Sequence, residues 1–362
     1  MAVIRPRDLL SDGLLERLGG TAEDTGGLAG FMPANGGTVP APAIPAQPQT
    51  AALRRNIARL ADVGYLNVAL PPEFGGLGCT LRQAACGQRR LARRAPLTAL
   101  AVSAHLYWTG AAADAYRAGD DSARWILLEA ARGALFAAGH GTTEPGGDLK
   151  FADPHSRCEI TGESGYRFKD TGVLASLTPA WDWIAVHAIH LGGRPDSVIA
   201  FAGRGSRCTP ALRIARVQPV GTPGDVFTTS AIAWGHSILA SVQYSDARRA
   251  FNAALEAASS AASPAGALPA SALPAGVSPA DADGGHPLDQ WPVAEAGLRL
   301  DAMKAKIAEI THPWPLVSEQ QPDLGGQRLI SIYAMRHEVA EGAGLVQGLI
   351  TQFTAAPAVA AL

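Results

Sequence analysis

Residues whose types and spacing could do chemistry concentrate in one stretch, Phe136-Ala-Ala-Gly-His-Gly-Thr-Thr-Glu-Pro-Gly-Gly-Asp148. An apolar run from Ala134 to Ala138 reads as a strand that breaks at Gly139. The chain then enters a loop of small and hydroxyl residues that ends in an acid. Glycine lets a backbone approach a ligand closely, and Thr142 and Thr143 offer hydroxyls and free amides to a polar heterocycle. The same composition also makes an ordinary turn. Neighbouring segments have to decide between the two.

Other candidate chemistry is weaker. A helical pattern from Leu81 to Arg94 sets Arg82, Arg89, Arg90, Arg93 and Arg94 against Leu81, Ala84, Ala85 and Leu91. A solvated face is the simpler reading of those arginines, and phosphate binding is the other. His105 lies beside Tyr107 and Trp108 in an apolar stretch and reads as a core histidine with satisfied nitrogens. The four cysteines (Cys79, Cys86, Cys158 and Cys208) have no CxxC spacing and no clustered histidines. They read as structural thiols in a reducing compartment, with no metal site expected.

The elements that must position these residues follow from pattern. At 362 residues the chain can bury a sizeable core. Only 17% of residues are charged and the formal net charge is −2, so no basic surface for nucleic acid is implied. No run approaches the 18 or so apolar residues of a membrane span, and no signal peptide opens the chain. The expectation is a soluble, cytoplasmic protein.

Residues 1–132 read as a helical domain. Leu9, Leu10, Leu14, Leu15 and Leu18 share one helical face, and 19–49, dense in Gly, Pro and Ala, reads as a loose linker. Thr50 can cap a helix carrying Leu53, Ile57 and Leu60. Leu70-Pro-Pro-Glu-Phe-Gly-Gly-Leu-Gly78 demands a tight loop, its prolines fixing φ and its three glycines supplying positive φ. Leu97 to Tyr116 is Ala-rich and nearly all apolar, so it should be buried among other helices. Asp121 or Ser122 can cap a further helix through Arg132.

From Ala134 the period changes. Residues 133–246 read as a small β sandwich or barrel of seven short strands: Ala134–Gly139, Cys158–Thr161, Tyr166–Lys169, Trp183–Ala188, Val198–Ala202, Leu212–Val217 and Ile238–Tyr244. Residues 247–362 read as a second helical domain. It is interrupted at 259–287 by an Ala/Pro tract whose prolines recur every five residues and forbid a stable helix. Helical periodicity returns at Val293–Ile310 and Leu329–Phe353.

Helices, a small β module and helices again, with the Pro-Pro-Glu-Phe-Gly-Gly-Leu-Gly loop and Thr143-Glu-Pro-Gly, resemble the acyl-CoA dehydrogenase family of flavoproteins. The resemblance extends through Gln88-Arg-Arg-Leu-Ala-Arg-Arg-Ala-Pro-Leu, His105-Leu-Tyr-Trp-Thr-Gly and Leu174-Ala-Ser-Leu-Thr-Pro-Ala-Trp-Asp-Trp-Ile-Ala-Val-His187. It covers residues 50–250 well and 286–350 more weakly. It implies an α+β chain of that fold, FAD as cofactor and α,β-desaturation of an acyl thioester such as acyl-CoA. An electron-transfer flavoprotein is the implied acceptor, and a homo-oligomer, or a hetero-oligomer with a family paralogue, the implied assembly. By the same resemblance His140, Gly141, Thr142 and Thr143, together with Leu174, Ala175 and Ser176, would line the isoalloxazine ring. Gln290 would reach FAD across subunits, and Gly147 and Asp148 would stand at the acyl-CoA. A flavin ring needs such hydroxyl and amide donors for its N1, O2, O4 and N5 acceptors.

Departures from the family pattern bear on activity. Its C-terminal glutamate segment and Gly-Gly-x-Gly turn have no counterpart after Val346-Gln-Gly-Leu-Ile. The first long helix beyond the β domain is expected to be mostly replaced by the Ala/Pro tract, leaving the C-terminal bundle loose or completed by another chain. Glu256 is then the one carboxylate near the alternative place for a catalytic base. The Thr-Glu-Pro-Gly loop is two residues shorter than the family's and lacks its serine, and Gly172 stands where a lysine is common. Three readings follow: an FAD-dependent acyl-CoA dehydrogenase, a non-catalytic or partner-dependent relative, and a flavin monooxygenase on the same fold.

Overall fold

The computed structural model describes residues 6–19, 47–140, 157–161, 165–169, 174–175, 180–190, 195–203, 212–219, 225–261, 291–312 and 322–359. Its first part is helical: α1 (Pro6–Leu9), α2 (Asp12–Gly19), α3 (Gln47–Asp62), α4 (Leu81–Ala92), α5 (Pro96–Arg117) and α6 (Arg124–Ala131). The leucine face at the N-terminus is split between α1 and α2, and Leu10, Leu14, Leu15 and Leu18 are all buried. Thr80 caps α4 with a reciprocal capping box, its hydroxyl accepting from the Gln83 amide while the Gln83 side chain accepts from the Thr80 amide. Asp120, one residue before the expected cap, accepts from the Ser122 amide at the turn into α6.

α5 is the central helix. Nearly every side chain from Pro96 to Ala115 is buried, as its apolar composition requires. Gln88 of α4 pins the elements around it. Its carbonyl accepts from the Tyr65 hydroxyl (3.1 Å), and its amide donates to the Ala99 carbonyl (3.0 Å) and the Ser103 hydroxyl (3.1 Å). In the proline–glycine loop a short 3-10 turn covers Pro72–Phe74, and Gly75 and Gly78 take positive φ. Gly76 does not, contrary to the sequence expectation. It is required by close approach, because a Cβ there would lie 2.1 Å from the Leu70 carbonyl.

Seven strands form one hydrogen-bonded sheet: β1 (Phe136–His140), β2 (Arg157–Thr161), β3 (Gly165–Lys169), β4 (Leu174–Ala175), β5 (Trp183–His190), β6 (Asp196–Gly203) and β7 (Leu212–Pro219). β5 is its spine. Along one edge it pairs antiparallel with the whole of β6, which in turn carries β7. Along the other edge, Trp183–Ala185 pair parallel with β1 and Ile189–His190 pair parallel with β2. β4 then adds to β1, and β3 to β2.

α7 (Val226–Ala261) corrects the sequence reading twice. The segment Ile238–Tyr244, expected as a seventh strand, lies in the middle of this 36-residue helix. Its β-branched and aromatic residues resemble strand alternation over a short window. Over a longer one Phe227, Ala231, Trp234, Ile238 and Val242 follow each other at helical spacing, and all are buried in the main core. The first long helix after the sheet is therefore present, beginning at Val226 and ending where the Ala/Pro tract starts.

α8 (Trp291–Ile310) and α9 (Pro322–Val359) pack on α7 around a second core. Tyr244, Phe251, Leu300, Met303, Ile307, Ile332, Met335 and Val339 fill it. The C-terminal bundle thus has an apolar centre of its own.

Arg216 of β7 ties the helical part, the sheet and α7 together. Its guanidinium lies 2.5 Å from Asp120 and 2.6 Å from Asp225, whose other oxygen accepts from the Thr228 amide at the start of α7. Burial pushes the Asp120 carboxyl up, but the Ser122 hydroxyl and amide and the Arg216 guanidinium together outweigh it and hold the group below its ordinary value. Arg216→Ala strands two half-buried carboxylates, and a loss of roughly 1–3 kcal/mol in urea denaturation is expected. Because the Asp120 pKa is depressed on folding, its contribution is present above the ordinary carboxylate range and disappears as pH falls through the folded value. Asp120→Asn should therefore flatten the acid limb of stability; an unchanged limb would mean that this ion pair does not act there.

Candidate functional site

β1 leaves the core at a built junction. His105, fully inside α5, bridges two backbone groups distant in sequence. Its Nε2 lies 3.0 Å from the Leu66 carbonyl, and its Nδ1 accepts from the Phe136 amide at 3.3 Å. An acceptor role for Nδ1 fixes the neutral tautomer with the proton on Nε2, which donates to Leu66. Burial is the main cause that lowers the His105 pKa to about 4, against the Leu66 hydrogen bond and Asp182, which act to raise it. The expectation of a satisfied core histidine holds.

Beside it, Leu135 donates to the Asp182 carboxylate (2.8 Å), while the Asp182 and Trp183 amides donate to the Leu135 carbonyl. The entries to β1 and β5 are locked together there. Beneath them lies an aromatic layer. Phe136 meets Phe201 and Trp125 edge-on or tilted, and Trp108 sits between Phe201 (4.9 Å) and Phe227 (6.0 Å). On the outer side the Arg213 guanidinium covers both Trp125 and Trp183 at about 5 Å. The root of β1 is therefore rigid, which a binding loop needs from its scaffold.

At its far end β1 pairs antiparallel with β4: Gly139 with Ala175, and His140 with Leu174. Those residues immediately precede Gly141 and Ser176, the starts of the two hydroxyl-bearing segments. His140 and Leu174, 34 residues apart in sequence, thus lie on adjacent strands about 4.8 Å apart, the two strands running in opposite directions. The pairing brings described residues of both segments, His140 with Leu174 and Gly139 with Ala175, side by side.

Of the sequence-predicted site residues, His140, Leu174 and Ala175 are brought together by this pairing. Gly141, Thr142, Thr143, Gly147, Asp148, Ser176 and Gln290 lie outside the described residues, as does Gly172. Glu256 is exposed on α7, about eight turns along the helix from Phe227, the residue that meets the aromatic layer under the sheet. Sequence reasoning missed Asp182 and Gln88, which hold the scaffold rather than a ligand. Asp182 was legible as a polar residue within the apolar run Trp181-Asp-Trp-Ile-Ala-Val186, whereas Gln88, followed by Arg89 and Arg90, carried no such signal. Among the described residues no cluster of potential metal ligands occurs, and no helix is long and apolar enough to cross a membrane.

No protein-family model matches the chain, and neither does any curated protein sequence. Solved structures do match. A nitrososynthase from Micromonospora carbonacea var. africana superposes with a TM-score of 0.66 at 18% identity, over 98% of this chain and 86% of that one. KijD3 in complex with dTDP gives 0.62 at 18% identity, over 96% and 85%. TdsC from Paenibacillus sp. A11-2, with FMN and indole, gives 0.58 at 16% identity, over 97% and 88%. At such identities the likeness speaks of fold alone. Helical layers around a small sheet, matched over almost the entire length, give this chain the acyl-CoA dehydrogenase-like fold.

Proposed function

We propose that this chain is a flavin-dependent oxidoreductase, with the ring held between His140–Thr143 and Leu174–Ser176, and that its reaction is an oxygenation. The pairing of His140 with Leu174, which brings the described residues of both segments side by side, supports the flavin reading. A bound flavin would supply the redox chemistry. The chain would supply the Thr143 hydroxyl and amide to the polar edge of the ring, Ser176 near N5 and O4, and the rigid floor under β1. Two observations favour oxygenation over desaturation. Glu256, the one candidate for a proton-abstracting base, is exposed and remote from the sheet contact. The structural neighbours include proteins described as a nitrososynthase and a dibenzothiophene monooxygenase.

The second reading is FAD-dependent desaturation of an acyl thioester, with Gly147 and Asp148 at the acyl-CoA, Gln290 reaching FAD of a neighbouring subunit and an electron-transfer flavoprotein as acceptor. Thr143-Glu-Pro-Gly and the proline–glycine loop favour it. The test is the visible absorption of the purified protein titrated separately with FMN and FAD, followed by anaerobic acyl-CoA. Flavin that binds and resists bleaching by acyl-CoA is the expected result. Bleaching would establish the dehydrogenase, and no binding of either flavin would leave a non-catalytic or partner-dependent chain.

A further inference from the structure

Charge is spread unevenly along this chain. Residues 47–95 hold eight arginines, no lysine and two acids, Asp62 and Glu73, a local charge of +6 where the whole chain carries −2. α4 has no acid at all, and its inner side, Ala84, Ala85, Gln88, Leu91 and Ala92, is buried. Helical geometry puts Arg82, Arg89 and Arg93 (i, i+7 and i+11) in one stripe roughly 16 Å long on the outer side, with Arg90 and Arg94 in a second row beside it. Arg93 follows the last turn but keeps helical angles (φ −63°, ψ −29°), so the stripe is unbroken. α2 joins this face to α3. At its start Asp12 takes Arg90 at 2.6 Å, and at its end the Arg17 and Leu18 carbonyls accept from Arg59 (2.9 Å) and Asn56 (3.2 Å) of α3. Arg17, and Arg55 one turn before Arg59, are exposed and extend the face.

Such an array opposes the fold that carries it. Arg89 with Arg93, Arg90 with Arg94 and Arg55 with Arg59 are like charges at i, i+4, a spacing that destabilises a helix. The helix dipole offsets the repulsion only in the last turn of α4. Arg82 stands in the first turn, where a cation is disfavoured, and Arg55 in the middle of α3. Local acids do not neutralise the face either. Those on α2, α3 and α4 are Asp12, Glu16 and Asp62, and Asp12 pairs with Arg90. Arg89 donates to the Cys86 sulfur at 2.9 Å. Among the described residues, Arg55, Arg82, Arg93 and Arg94 have no acidic partner.

We propose that the outer face of α4, with α2 and α3 beside it, docks the acidic surface of another protein. Guanidinium forks take carboxylates in paired hydrogen bonds, and the stripe runs along three turns of helix. It fits a partner helix that carries Asp or Glu over the same three turns. α2, α3 and α4 contain no aromatic residue to stack on a base and expose no large apolar side chain. Charge complementarity is therefore what the face offers, which makes the contact steered and sensitive to salt. The inference stands on the distribution of charge alone and holds whether or not the chain binds flavin.

Fluorescence anisotropy of the full chain with a labelled poly-L-glutamate of about 20 residues, at about 0.02 M and about 0.15 M salt, tests it. Binding at the lower salt that weakens at the higher is expected. Arg82→Gln, Arg89→Gln and Arg93→Gln combined should weaken it about tenfold. The same variant should keep its circular dichroism and thermal transition, because all three side chains lie away from the core. Removing equal charge elsewhere, by Arg132→Gln, Arg299→Gln and Lys304→Gln, should change the affinity by less than about twofold. Absence of binding at the lower salt would overturn the proposal, and so would an equal loss in the two triple variants. Tighter binding of a thymidine oligonucleotide of the same charge would also overturn it and assign the face to nucleic acid.

Discussion

Between pH 6.5 and about 4 the folded protein is expected to lose on the order of 3 kcal/mol of stability through one side chain, His105. In the unfolded chain the imidazole titrates near its ordinary value of 6.5 and takes up the proton first. In the folded chain burial keeps it neutral down to about pH 4. Across that window the unfolded state binds the extra proton, so stability falls with each step down in pH and levels off below the folded value. Protonation would also turn Nδ1 from acceptor to donor and place two donors, Nδ1–H and the Phe136 amide, against each other. The loss is large against a net stability of about 5–15 kcal/mol. Urea denaturation at half-unit pH steps measures it. His105→Gln should be less stable at pH 7 by roughly 1–3 kcal/mol, for lost hydrogen bonds, yet show a much shallower slope from pH 6.5 to 4. Equal slopes in the two proteins would sink the assignment.

Gly110→Ala should destabilise the protein by about 3 kcal/mol, although alanine is the better helix former by about 1 kcal/mol. A Cβ at this position would sit 2.3 Å from Cδ2 of Trp234 and within 2.5 Å of two further ring atoms. The indole has nowhere to go. It is fully buried, and its Nε1 donates to the Asp114 carboxylate at 2.7 Å. Asp114 is itself paired with Arg117 at 2.9 Å. Either α5 and α7 separate, or the ring leaves its rotamer and breaks that bond. Trp234→Ala alone should cost about 3–5 kcal/mol for the cavity. The double variant should cost clearly less than the sum, because the added methyl then enters vacated space. Simple additivity would show that the two residues do not meet. The measurement is the midpoint and slope of urea unfolding for all four proteins.

The sequence made some of this legible and concealed the rest for physical reasons. Local signals survived. Thr80 with Gln83, the apolar run of α5 and the six strands from β1 to β7 other than β4 are each written within a dozen residues. His105 was readable as a core residue because a lone polar group in an apolar run must be satisfied. Its partners were not, since Leu66 and Phe136 lie 39 and 31 residues away. Ile238–Tyr244 misled because seven residues are too few to separate a period of 2 from one of 3.6 when the helix is buried on several sides. β4 is two residues long and has no pattern of its own. Its position beside β1 comes from pairing alone, and it is the feature on which the flavin reading rests.

The central place of β5 also sets the order in which the nascent chain can mature. β1 emerges with its helical support already synthesised, and His105 can seize the Phe136 amide at once. Its sheet partners are missing until β4 and then β5 follow, some 45 residues later. At about 5–20 residues per second that interval lasts a few seconds. During it an apolar strand holds unpaired edges, and α7, which seals Trp108 from the other side, has not yet been made. A ribosome paused between His140 and Trp183 would therefore display the most association-prone form of this protein.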